Sequence, residues 1–226
     1  MTTRITRSIS ILLLAALFSL AGCREQIVRP IQSAAPSQAV STPNVALPSY
    51  PVALSASDLA AFEEAFNTDS NYGFLLSAYN DVRDVDLYQV FYIGAGMEPP
   101  ANADEIRAAY EATLTDGPYD VDSTILSYQQ VDDFLYLKTG YTLAEMNTCL
   151  SWDYVDGYDA YIHYHGDTNF IRIHCTGGRQ VGDTVYELDY EFDGGIYDDD
   201  GNFYSSGTVN VSIDGNTILY NSNILY

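Results

Sequence analysis

The sequence predicts an α+β fold, short helices first and an antiparallel sheet after them, and three observations carry the prediction. As far as Glu145, apolar residues recur at three- and four-residue spacing behind capping signals. After Trp152 the period falls to two. The stretch that holds both patterns, residues 57–226, is about 170 residues long and suffices for one core.

In the helical half, Leu59, Phe62 and Phe66 share one face behind Ser57 and Asp58, and Asn67 is a stop signal. Asp84 to Ile93 fits two periods: Leu87, Val90 and Phe91 suit a helix, while Tyr88, Val90 and Tyr92 alternate as a strand would. The helix is the reading adopted. Asn102 with Glu105 pairs as an N-cap ahead of Ile106, Ala109 and Tyr110, and Asp116-Gly117-Pro118 closes that helix. Ser127 with Gln130 forms a capping box ahead of Val131, Phe134 and Leu135, ending at Gly140. Thr142 and Glu145 repeat the box.

In the second half, residues 158–165 and 170–176 flank Gly166-Asp167-Thr168-Asn169 and read as a hairpin. Pairing Ala160 with Cys175 and Ile162 with Ile173 puts Ala160, Ile162, Tyr164, Ile171, Ile173 and Cys175 on one face. Tyr161, His163, His165, Phe170, Arg172 and His174 share the other. Tyr186, Leu188, Tyr190 and Phe192 point inward along a further strand, as do Val209, Val211 and Ile213 along another. Asp214-Gly215 then turns the chain into a strand around Ile218 to Tyr220.

Ahead of the domain the chain is organised differently. Arg4 and Arg7 precede an apolar run from Ile9 to Leu20, too short to span a bilayer comfortably, and small Ala21 and Gly22 stand before Cys23. Residues 1–22 thus read as an export signal. From Cys23 to about Ala56, five prolines lie among Ser, Ala, Gln, Thr and Val without helical or strand period, the composition of a tether. Leu20-Ala21-Gly22-Cys23 resembles the lipobox of bacterial lipoproteins. That resemblance implies that Cys23 carries a diacylglyceryl group and becomes the mature N-terminus, and that the protein sits on the cell membrane facing the extracytoplasmic side. Two or more acyl chains would anchor it stably.

Charge narrows the partners. The chain holds 31 acidic residues against 9 basic ones, and Lys138 is its only lysine. Loss of a leader with two arginines and no acid takes the net charge from −22 to about −24. A nucleic-acid backbone and anionic headgroups would both be repelled, so lipid rather than a basic patch must hold the membrane. Glycans, cationic peptides and protein ligands remain compatible partners.

The candidates for chemistry are few. His163, His165 and His174 would share one face of the expected hairpin, where three imidazoles could meet a metal; the alternative is half-exposed histidines among aromatics. Asp198-Asp199-Asp200-Gly201-Asn202 invites a calcium reading, but an EF-hand loop placed with Gly201 sixth would begin at Ile196 and end at Gly207, neither of which supplies the required oxygen. No nucleophile, zinc-protease or phosphate-loop motif occurs, and no cofactor is implied. Cys149 and Cys175 remain after the lipid site; an oxidising compartment permits a disulfide, and two free thiols fit equally. Tyrosine is in excess, at 20 residues, many beyond Tyr154 beside Asp and Asn. Such faces suit carbohydrate or cationic-peptide contact, and strand propensity alone also explains them.

The segments Leu87–Gly96, Tyr158–Tyr161 and His165–Asn169 resemble uncharacterised exported or lipid-anchored proteins of Gram-positive gut bacteria, a resemblance that implies no activity. Helices followed by a curved antiparallel sheet are also similar to the NTF2-like architecture, a cone around a pocket. The expectation is a membrane-anchored lipoprotein with a binding or interaction domain. A cell-envelope hydrolase, a metal-binding protein using the three histidines and a structural spacer are the alternatives.

Overall fold

The computed structural model describes residues 49–115, 117, 119–166, 170–198 and 200–226. Residues 47–226 form a compact unit of their own, and the buried residues of both core clusters lie between Phe66 and Tyr220. The leader, Cys23 and most of the tether lie outside the described residues, as do Asp116, Pro118, Asp167 to Asn169 and Asp199. Among the described residues no helix is long and apolar enough to cross a membrane.

The fold is α+β. Strand β1 (Val52–Ala53) is followed by helices α1 (Ala56–Phe66), α2 (Asp69–Tyr72), α3 (Leu87–Phe91) and α4 (Ala103–Glu111), then by β2 (Asp122–Ser127) and α5 (Tyr128–Thr139). The chain finishes in β3 (Asp153–Val155), β4 (Ala160–His165), β5 (Ile173–Gln180), β6 (Val185–Tyr197), β7 (Phe203–Asp214) and β8 (Thr217–Leu225). Two antiparallel sheets result, of order β1-β5-β6-β7-β8 and β2-β4-β3.

Capping residues place the helices. Ser55 caps α1 with Asp58 completing the box, two residues earlier than the Ser57 start read from the sequence. Asn102 stands at the N-cap of α4 but its side chain makes no capping bond. Ser127 ends β2 and caps α5 at once: its hydroxyl accepts from Gln130 N, Gln130 Oε1 accepts from Ser127 N, and Gly140 closes the helix at φ +78°. Residues 84–93, which fitted two periods, hold the end of a 3-10 turn (Val82–Asp84) and then α3, with Leu87, Val90 and Phe91 buried.

Period-two alternation holds in the large sheet. Leu188, Tyr190, Phe192, Val209, Val211, Ile218 and Tyr220 are buried on one face beneath helical residues such as Phe66, Phe74, Phe91 and Leu135, while Asp189 and Glu191 are exposed on the other. Gly215 takes φ +59° in the two-residue turn between the paired Asp214 and Thr217.

The hairpin expected between residues 158 and 176 does not form. β4 pairs with β2 and β3, Ile162 lying opposite both Ile125 and Asp153, whereas β5 pairs with β1 and β6, Ile173 lying opposite Phe192. The physical reason is that alternation specifies which face of a strand is buried, not which strand lies beside it. β2 supplies the missing partner. It is buried on both faces, Leu126 in the main core and Ile125 in a second cluster with Ile106 of α4, Val155, Ala160 and Ile162.

Two buried polar groups tie the layers together. Asn223 of β8 donates from Nδ2 to Ser77 O at 2.9 Å and accepts the Tyr190 hydroxyl on Oδ1 at 2.8 Å, and its backbone exchanges two 2.8 Å hydrogen bonds with Tyr79. The segment 75–79 is thereby fixed to the sheet. Lys138 in the last turn of α5 is buried and donates to Asn71 Oδ1 at 2.7 Å. Burial lowers its ammonium from 10.5 to about 8.

A pH dependence follows from Lys138. Between pH 8 and 10.5 the unfolded chain keeps a proton that the folded chain has released, so the Lys138 contribution to stability rises with pH across that window. Lys138→Met removes the charge and with it this rise. Urea midpoints of the two proteins, measured from pH 7 to 10, are expected to change relative to each other in favour of the wild type as pH increases.

Candidate functional site

Where helices and sheet ends meet, the backbone leaves a cleft. α1 ends at Asn67, whose side chain donates to Glu63 O at 2.7 Å and to Ile173 O at 2.8 Å and accepts from Ile173 N at 2.9 Å. That clamp fixes the start of β5 against the helix. Beside it Tyr72 of α2 accepts from Ile171 N at 2.9 Å and stacks on Phe170, with ring centroids 4.0 Å apart and planes at 25°. Asp86 caps α3, accepting from Tyr88 N at 2.9 Å while its own N–H donates to Ser77 Oγ at 3.2 Å. This cap aims Gln89 and Tyr92 at the same space.

The opposite wall comes from a bulge. Between Glu191, opposite Ser206, and Ile196, opposite Tyr204, β6 holds extra residues that β7 does not match. Gly194 and Gly195 meet its demand for positive φ, at +96° and +76°, and a Cβ on Gly195 would run into the Phe203 ring. Beyond the bulge the hairpin tip brings Tyr197, Asp198 and Tyr204 to the cleft.

The cavity measures about 1050 Å³, large for a small-ligand site. Five aromatic rings border it (Tyr72, Tyr92, Phe170, Tyr197 and Tyr204), together with Asp69, Asp86, Asp198 and Asp200. Neither lysine nor arginine is among the described residues that line it. Asp198 accepts from Asn202 N at 2.7 Å, Asn202 Nδ2 at 2.9 Å and the Tyr204 hydroxyl at 3.0 Å, and these bonds, that from the Asn202 side chain foremost, hold its carboxyl below the usual range. The Tyr204 hydroxyl is correspondingly raised by its bond to Asp198. The side-chain amide of Gln89 and the Tyr92 hydroxyl make no hydrogen bond among the described residues.

The three histidines are not brought to one point. His163 and His165 do share one face of β4, with ring centroids 6.1 Å apart, packed among Tyr88, Tyr92 and Trp152. Burial, and then the neighbouring His165, lower the His163 imidazole. His165 reaches the cleft; its Nδ1 donates to Gly166 O at 3.1 Å and its Nε2 lies 2.9 Å from the Thr124 hydroxyl. His174 stands on β5 in the other sheet, with Nδ1 3.4 Å from Glu63 Oε1. The three-histidine metal reading depended on a β4–β5 hairpin, and that pairing is replaced by β2–β4. Among the described residues, no group of three or more His, Cys, Asp or Glu is placed to hold a metal ion.

Of the two readings left open for the cysteines, the structure holds free thiols, Cys149 exposed and Cys175 half-buried. Cys175 sits in β5 opposite Tyr190, while Cys149 lies in the segment leading to β3 in the other sheet. Burial, aided by the Glu63 carboxylate, pushes the Cys175 thiol up to about 12.

The cleft itself was not read from the sequence. Of its tyrosines, Tyr197 and Tyr204 belong to the excess beyond Tyr154, but Tyr72 and Tyr92 come from the helical half. The usable signal was the Gly194-Gly195 pair, which breaks an otherwise regular strand and marks a bulge. No family model, curated protein or solved structure matches this chain.

Proposed function

We propose that this chain is an exported lipoprotein, held to the cell membrane through lipid on Cys23, whose domain binds an extracytoplasmic ligand in the cleft between α2, α3 and the β6–β7 tip. The observation that carries the binding role is the cleft: about 1050 Å³, lined by five tyrosine and phenylalanine rings, four aspartates and the polar side chains of Gln89 and Tyr92. Binding accounts for this lining without further parts. A cell-envelope hydrolase is the second reading, because the lining also holds the Thr124 hydroxyl 2.9 Å from His165 Nε2 and four aspartates, whereas no group of three or more His, Cys, Asp or Glu among the described residues is placed to hold a metal ion. A spacer would have no use for such a cavity.

The anchor reading rests on Leu20 to Cys23 and the basic and apolar segment before them. Cys23→Ala is expected to leave the membrane fraction while residues 47–226 fold unchanged; retention of that variant on membranes would remove the anchor. For binding, Tyr197→Ala is the informative variant, because the ring is 71% exposed and contributes little to the core. Ligands recovered by the wild-type domain from glycan and peptide arrays should bind this variant at least tenfold more weakly, and equal binding would take the ligand away from the cleft.

A further inference from the structure

We infer that the ligand of this cleft is an organic cation, an ammonium or guanidinium group on a stem that can lie against aromatic rings. The inference rests on the binding role proposed above and concerns the same site. Four aspartates, Asp69, Asp86, Asp198 and Asp200, line one cavity with no lysine or arginine among its described lining, and the partners of Asp86 and Asp198 are neutral donors that leave their charge in place. The arginine ion pairs of the described residues lie elsewhere: Arg83 with Asp81, Arg172 with Glu63, and Arg179 with Glu187. The cleft charge is therefore left for a ligand to neutralise.

The form of that positive charge is set by two further observations. A compact metal ion needs at least three ligands converging within about 2–2.6 Å, and no such set exists among the described residues. A diffuse cation needs no such convergence. It gains from the faces of Tyr92, Tyr197 and Tyr204 as well as from carboxylates, because the ring quadrupole attracts positive charge. Hydrogen-bonding chemistry points the same way. Ionised carboxylates only accept, so a cleft with four of them among its lining matches a ligand rich in N–H donors better than one that alternates donors and acceptors. Anionic ligands are repelled by the wall and by the chain's net charge of −22.

The chemistry could arrive as a free polyamine or as basic side chains on a peptide, and spermidine and an Arg-Arg amide stand for the two. Calorimetric titration of residues 47–226 with each probe is compared among the wild type, Asp69→Asn/Asp200→Asn, and Glu191→Gln/Asp193→Asn. The last pair changes charge by the same amount at exposed positions outside the cleft lining. At least one probe is expected to bind one to one, tenfold or more weakly to the cleft double variant and within twofold of wild type to the outer one; the tighter probe identifies the source. Equal losses in both variants would mean general attraction to an acidic protein and overturn the site. Binding of a neutral tetrasaccharide in the cleft without binding of either cation would overturn the ligand class and leave the cleft as a binding site. If neither the cations nor the ligand arrays give binding, both readings fall.

Discussion

Asn223→Ala is expected to lower the free energy of unfolding by about 3 kcal/mol, because a buried polar group whose partner is removed costs about 1–3 kcal/mol and this side chain serves several partners. Its amide holds Ser77 O at 2.9 Å and lies 3.3 Å from Leu75 O, while its oxygen takes the Tyr190 hydroxyl at 2.8 Å. Alanine provides none of these and leaves a void beside Tyr190, which is itself almost completely buried. The Tyr190 hydroxyl lies 3.1 Å from Leu75 O and can turn to it, so the loss is less than the sum of three broken bonds. Leu76, Ser77 and Ala78 line the cleft, so the same substitution should loosen its floor. Urea denaturation gives the stability change. Hydrogen exchange at residues 75–79 should rise above what global unfolding alone produces.

Gly73→Ala is the second large effect, expected to cost about 3 kcal/mol and to lower Tm by about 5–10 °C. The backbone of Gly73 is ordinary, with φ −60°, so left-handed strain plays no part. The cause is contact between backbones: a Cβ there would stand 2.5 Å from both Gln89 O and Val90 Cα of α3. Neither atom belongs to a flexible side chain, so α3 must move as a unit. Because α3 carries Gln89 and precedes Tyr92, the displacement should weaken ligand binding along with stability. Gly117→Ala is the contrasting case: its Cβ would meet no atom of the described structure within 4 Å, though its φ of +82° carries a penalty of about 1–2 kcal/mol. A larger loss at Gly73 than at Gly117 would separate packing from conformation as the cause.

The fold class was legible because its signals are local. Ser127 and Gln130 are three residues apart, and Gly140 follows a helical run, so the ends of α5 could be placed to the residue. The inward sets Leu188, Tyr190, Phe192 and Val209, Val211 likewise need only alternation. Pairing between strands is not local. β4 and β5 lie close in sequence and both alternate, yet β4 joins β2 some forty residues upstream, and that strand has adjacent buried residues, Ile125 and Leu126, in place of alternation. Missing β2 carried the histidine reading with it. His163 and His165 were correctly set on one face, since that requires only period two, but His174 was joined to them through a pairing that residue spacing could not establish.

The cleft was less legible still, because it is assembled from an α1 cap, the start of α3, the lead-in to β5 and the far side of a glycine bulge. No single window of sequence contains more than a part of it. What residue content could convey was its character: excess tyrosine and acid, scarce lysine. The cleft takes four of the 20 tyrosines, Tyr72, Tyr92, Tyr197 and Tyr204, while Tyr190 and Tyr220 are buried in the core and Tyr136 and Tyr226 are exposed elsewhere.

The most direct measurement is hydrogen–deuterium exchange on residues 47–226 with and without the tightest ligand recovered from the glycan, peptide and amine probes. Protection concentrated in residues 86–93 and 196–204 is the predicted result, since these segments form the two walls of the cleft. Protection confined to the outer face of the large sheet, around Asp189 and Glu191, would place the ligand elsewhere and contradict the cleft as the working site.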